Sequence, residues 1–133
     1  MNKMHKEYFE ITRIYTDDQS ETHFEDLLID MKQTDSKPHE SILFDAQGII
    51  FRKAASDQKR TWHHAPEKQI IVSISGSATI TVSDGEARVF NPGSLLIVED
   101  TEKHSKGHTT VANKEAGERK TIFIPMNTEQ FKQ

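Results

Sequence analysis

Two adjacent histidines, His63 and His64, stand a few residues ahead of Gln69, which opens the apolar run QIIVSIS. Neutral imidazole nitrogens and an amide oxygen suit zinc, nickel, manganese or ferrous iron. Side chains on an extended chain alternate between two faces, so His63 shares a face with Gln69 and His64 does not. Pro66 interrupts the ladder between them and can shift that parity by one, which keeps His64 as the alternative. A plain surface strand edge beside Trp62 is the competing reading of the pair. A second group, His104-Ser105-Lys106-Gly107-His108, lies in the longest polar stretch, residues 101–119. A histidine entering a strand after Gly107 completes a site with the first group if the fold brings the two together. Otherwise His104 and His108 are solvated loop residues. Glu99-Asp100 closes the run SLLIV, where carboxylates can back a ligand or act as bases, although a charged strand end that blocks edge pairing is the simpler reading. The run Glu21-Thr22-His23-Phe24-Glu25 reads as a solvated turn.

Composition restricts this chemistry. The 133 residues include seven histidines and no cysteine, so thiol nucleophiles, iron–sulfur clusters and cysteine zinc sites are excluded. Any transition-metal site must be built from nitrogen and oxygen donors. Acidic residues (21) outnumber basic ones (17), the two kinds are interspersed, and no nucleic-acid face emerges. The fingerprints GxGxxG, GxxxxGK[ST] and GxSxG are missing, and no serine has the context of a hydrolase nucleophile. No apolar run reaches membrane-spanning length and the N-terminus has no signal-peptide pattern, so a cytoplasmic protein without membrane contact is expected.

The elements that must position these residues are short strands. Ile49–Phe51, Gln69–Ser75, Ala78–Ser83, Ala87–Phe90, Ser94–Val98 and Thr121–Ile124 are rich in β-branched and apolar residues. In Ala78–Ser83 the apolar Ala78, Ile80 and Val82 alternate with Thr79, Thr81 and Ser83. Asp84-Gly85 and Asn91-Pro92-Gly93 supply turns. Strands this short at nearly regular spacing indicate an all-β sandwich or barrel. A mean hydropathy of −0.69 reflects polar segments at the ends and in one loop. We read one domain, with residues 1–40 as an N-terminal arm carrying short strands and residues 41–133 as the barrel.

The motifs resemble those of small single-domain cupins. Gln69 falls where the cupin pattern expects its glutamate, with Gly76 after six intervening residues, and Pro92-Gly93 fits the second cupin block. More narrowly, Trp62, His63, Ala65, Pro66 and Gln69 match a cupin subgroup with WHxAPxxQ, and Glu99, Asp100, Thr101, Gly107, His108 and Thr109 match its second block. Thr22-His23-Phe24 looks like that subgroup's N-terminal element. The loop between Asp100 and His108 is two residues longer than the subgroup's spacing, and glutamine replaces the usual glutamate ligand. The resemblance implies a double-stranded β-helix, that is, a jelly-roll barrel, forming a homodimer through the N-terminal arm. It also implies a divalent metal (zinc, nickel, manganese or iron) held by His63, Gln69 and His108, with His64 or His104 as substitutes. The expected ligand is a small oxygenated metabolite, handled by dioxygenase, isomerase or decarboxylase chemistry. The alternative is a non-catalytic module that binds or senses a sugar or organic acid.

Overall fold

The apolar run Leu95–Val98 is buried on both faces, which explains why it carries no polar alternation. Leu96 and Val98 enter one cluster with Ile14, Phe24, Ile80, Val82 and Phe90. Ile97 points the other way, into a second cluster with Ile11 and Ile29. Around this strand the computed structural model, which describes residues 7–33 and 38–132, arranges eleven strands.

These are β1 (Glu7–Thr16), β2 (Thr22–Gln33), β3 (His39–Glu40), β4 (Ile50–Ala54), β5 (Lys59–His63), β6 (Gln69–Ser75), β7 (Ala78–Val82), β8 (Ala87–Phe90), β9 (Leu95–Val98), β10 (His108–Ala112) and β11 (Arg119–Pro125). The antiparallel pairs β4·β11, β5·β10, β6·β9 and β7·β8 are nested, each enclosing the next in sequence. Such nesting is the signature of a hairpin rolled up on itself, a jelly roll. The two layers run β4-β11-β6-β9 and β5-β10-β7-β8, and the first is extended by β1, β2 and β3 into a seven-stranded sheet. The expected all-β, cupin-type jelly-roll barrel is therefore the fold.

Local sequence explains the elements. On β7, Ala78, Ile80 and Val82 are 0–4% exposed, as their alternation requires. The β7–β8 turn closes with Gly85 at φ +100° and with the Glu86 N–H donating to the Asp84 carboxylate. Three departures from the sequence reading stand out. β1 and β2 are ten and twelve residues long rather than short, paired without a break from Glu7 opposite Met31 to Thr16 opposite Thr22. Ile14 and Phe24 face one core cluster and Ile11 and Ile29 the other, with charged residues such as Asp26, Arg13 and Glu25 between them on both faces, so no simple alternation marks these strands. β5 (KRTWH) is a strand made of mostly exposed, polar residues that no periodicity marks. Finally, the polar stretch 101–119 contains β10, a strand paired on both sides, by β5 and β7.

Candidate functional site

His63 is the last residue of β5 and His108 the first of β10, and the two are direct partners across the antiparallel pair. Their rings lie 4.4 Å apart between centroids. Gly107 makes this possible. It sits at φ +71°, and a Cβ there would fall inside the carbonyl of His63. Only glycine combines that left-handed backbone with so close an approach.

Each imidazole is oriented by a partner behind it. The His63 Nδ1–H donates to the carbonyl of Thr61 at 2.7 Å, because a carbonyl can only accept. This leaves Nε2 of the neutral ring with its lone pair free. Burial holds the His63 pKa below its usual value, against the raising effect of the Thr61 bond, so the neutral form is favoured. His108 Nδ1 donates to Asp100 Oδ2 at 2.6 Å, and Asp100 is fully buried. The backbone carbonyl of Asp100 in turn accepts from the Ala65 N–H at 2.9 Å, fastening the segment after His63 to the strand end after β9.

A cavity of about 300 Å³ opens in front of the pair. His63, His64, Gln69 and His108 all line it, together with Ile71, Ile80, Val98, Thr110, Thr121 and Phe123. His63 and Gln69 thus line one cavity, but from strands of different sheets rather than from one face of an extended chain, and His64 reaches the same cavity. β5 ends at His63 and the chain bends through Ala65-Pro66, so strict alternation does not extend to His64. Gln69 is 3% exposed, and its amide makes no hydrogen bond to the described residues. His104 is exposed and lies outside the cavity lining, so of the two loop histidines only His108 enters.

Two side groups differ from their simpler readings. Asp100 is no solvated strand end; it orients His108. Glu99 is buried in a structural network, accepting from Thr128 Oγ1 at 2.6 Å and lying 3.1 Å from Arg13 Nε. His23 is not a loose turn residue either, because it bridges Asp17 (2.7 Å) and Asp84 (2.8 Å) far from the cavity. His39 lies on the exposed strand β3, and His5 falls outside the described residues.

The donor set fits a divalent cation. His63, His108 and Gln69 line one cavity, and with each Nδ1 tied back the Nε2 atoms are the ring nitrogens left to bind there. Asp100 Oδ1 is buried without a protein partner, so a cation on the far side of His108 would supply positive charge that the carboxylate lacks. Among the described residues no group of three His, Asp or Glu side chains could hold a metal ion, and Gln69 lines the cavity beside the two histidines as an amide donor. Sequence reasoning missed Arg52, Arg60 and Arg119, which also line the cavity. They carry no shared local motif, and only the barrel topology brings them together.

No family model and no curated protein matches the chain. Among solved structures it is similar to protein NMB1881 from Neisseria meningitidis, at 14% identity over 62% of this chain and 78% of that one, with a TM-score of 0.45. It is also similar to a Cupin 2 conserved barrel domain protein from Salinispora arenicola CNS-205, at 18% identity over 63% and 68% of the two chains, with a TM-score of 0.44. The order of strand pairing itself defines the class: a jelly-roll barrel whose cavity is lined by paired histidines.

Proposed function

We propose that the barrel holds a divalent metal through His63, Gln69 and His108 and acts there on a small oxygenated metabolite. The observation that carries this reading is the His63–His108 pair, both lining the cavity, each with Nδ1 tied back to Thr61 or Asp100 and Nε2 left as the nitrogen that could bind. Three neutral ligands leave coordination positions for water and substrate, the arrangement of catalytic rather than closed structural sites. A metal in this position would act as a Lewis acid toward a bound oxygen, or as a redox centre if it is iron, manganese or nickel. The chain's own part is to orient the ligands, to exclude bulk water with Ile71, Ile80, Val98 and Phe123, and to offer His64 as a titratable group at the site. Dioxygenase, isomerase and decarboxylase chemistry all fit this arrangement. One observation favours the non-catalytic alternative: among the described residues no carboxylate, tyrosine or serine joins the histidines in the cavity lining to take or give a proton.

The metal content of untagged protein tests the site. About one ion per chain is expected in the wild type, falling sharply in His63→Ala and His108→Ala. Less than about one-tenth of an ion per chain in the wild type removes the metal reading, given the tight binding of such sites. Turnover that disappears with the metal supports an enzyme, and ligand binding that persists without metal supports a binding module.

We also infer a homodimer, because Leu43 and Phe51 are 93% and 76% exposed and β4 is an open sheet edge. Light scattering after size exclusion should give twice the 15.2 kDa chain mass, and a monomer mass would contradict it.

A further inference from the structure

The sequence has five arginines, and their partners divide them into two kinds. Arg13 pairs with Glu25 and Glu99, and Arg88 pairs with Asp26 and Glu86. Arg52, Arg60 and Arg119 have no carboxylate partner among the described residues, and all three line the histidine cavity. Among the described residues no Asp or Glu lines it. They arrive from three strands: Arg52 from β4, Arg60 from β5 and Arg119 from the start of β11, where it lies opposite Ala54 of β4. The Arg52 guanidinium is held 4.0 Å over the ring of Phe123, itself a cavity residue. The position of Arg119 is fixed by Gly76, where a Cβ would strike the Arg119 backbone and side chain.

Folding therefore gathers three cations around one opening, and among the described residues the nearest carboxylate the site uses, Asp100, is bound behind His108 rather than to an arginine. Burial, and then the neighbouring arginine, lowers the pKa of both Arg52 and Arg119. Unpaired like charges around a cavity oppose the compact state and attract an oppositely charged ligand. Guanidinium groups bind carboxylates through two parallel hydrogen bonds. Part of the lining, Ile71, Ile80, Val98 and Phe123, is apolar and suits a carbon skeleton, and about 300 Å³ limits that skeleton to a small one.

We propose that the cavity takes a small dicarboxylate, its carboxylates held by Arg52, Arg60 and Arg119 and its carbon chain against the apolar wall. This shares with the functional reading the premise that the cavity is the ligand site, and it does not require the metal.

Calorimetric titration of the full chain, dialysed free of metal and chelator, tests it with malonate, succinate and 2-oxoglutarate. Succinamide serves as the neutral isostere of succinate and inorganic phosphate as an anion without a carbon chain. At least one dicarboxylate should bind with Kd below about 1 mM. Succinamide should bind at least about 100-fold more weakly than succinate, through the loss of charge-assisted bonds. Arg119→Gln and Arg52→Gln should each weaken the dicarboxylate by about 10- to 100-fold. Because Arg119 has no carboxylate partner among the described residues, Arg119→Gln should melt at or above the wild-type temperature without ligand, whereas Arg52→Gln also gives up the contact with the Phe123 ring. Lys120→Gln, on the same strand but outside the cavity, should leave the affinity unchanged.

The proposal is overturned if no dicarboxylate binds folded protein with or without added metal. It is also overturned if succinamide or phosphate binds as well as the dicarboxylates, or if the arginine variants keep wild-type affinity. Dicarboxylate binding by protein that takes up no metal leaves this proposal standing and removes the metal reading; the converse result removes only this proposal.

Discussion

Replacing Gly107 with alanine should separate the two strands that carry the histidine pair. Gly107 lies at φ +71°, a conformation that costs an L-residue about 1–2 kcal/mol. The added Cβ would also overlap the carbonyl oxygen and carbon of His63 and crowd the His64 nitrogen. Those are backbone atoms of a paired strand and cannot rotate away, so β5 and β10 must part. Overpacking of this kind adds roughly 1–3 kcal/mol. The residue cannot escape by turning its peptide groups either. Its N–H donates to Ser105 Oγ at 3.1 Å, and its carbonyl accepts from Thr22 Oγ1 at 2.6 Å. The sum is a loss of about 2–5 kcal/mol, a large share of the stability of a domain this size.

Two other glycines separate the contributions. Gly117 is at φ +83° with nothing within 4 Å of its would-be Cβ, so Gly117→Ala isolates the backbone cost of about 1–2 kcal/mol. Gly48 has ordinary φ and open space, so Gly48→Ala should be neutral or slightly stabilising, by about 0.4–1 kcal/mol. Urea unfolding with an unchanged slope reads all three. If Gly107→Ala is no less stable than Gly117→Ala, β5 and β10 do not approach as described, and the adjacency of His63 and His108 fails with them.

Three further outcomes follow from other contacts. Asp100→Asn keeps the shape behind His108 but removes the charge, and should weaken metal binding about 10- to 100-fold in a competition with a chromophoric chelator; unchanged affinity contradicts the role given to Asp100. His23 is held by Asp17 and then Asp84, with the Tyr15 ring beside it, and these bonds raise its pKa. A raised histidine pKa gives stability that is complete below the unfolded value of about 6.5 and lost as pH rises through the folded value. The Asp17 pKa is lowered by the His23 bond, and that of Asp84 by the Glu86 N–H and then His23, so their share fades as pH falls through the folded values. His23→Gln should therefore destabilise more at pH 6 than at pH 9 in urea titrations, and an equal loss at both would refute the bridge. Thr22 Oγ1, fully buried, accepts from the Ser83 N–H at 2.8 Å while donating to Gly107, so Thr22→Val should cost about 1–3 kcal/mol in the same assay. A change below about 0.5 kcal/mol is the size of an ordinary surface substitution and would count against this clamp.

The legibility of this chain varies with the physics of each element. β7 and β9 were readable because apolar side chains are buried there on one face or on both, and β6 and β8 through their apolar or β-branched composition between turns, although on β8 only Phe90 is buried. β5 was not, because KRTWH exposes most of its residues and is ordered by pairing with β10 rather than by burial. The same holds for β10, whose threonines and histidine blend into a polar loop until β7 supplies a second partner. At the site, His63, Gln69 and His108 were visible as residue types, and the register that opposes His63 to His108 is what joins them. Asp100 looked like a strand end because no local pattern shows that the 62–66 segment covers it. The three arginines left no sequence signal, since they come from separate strands and share only the space they surround.

The central claim is that His63, Gln69 and His108 hold one metal ion within the barrel. Anomalous diffraction from crystals grown with zinc or manganese tests it most directly. The expected result is a single strong peak within about 2.0–2.3 Å of His63 Nε2, His108 Nε2 and the Gln69 amide oxygen. An empty cavity under these conditions, or a peak only at exposed histidines such as His104, would contradict it.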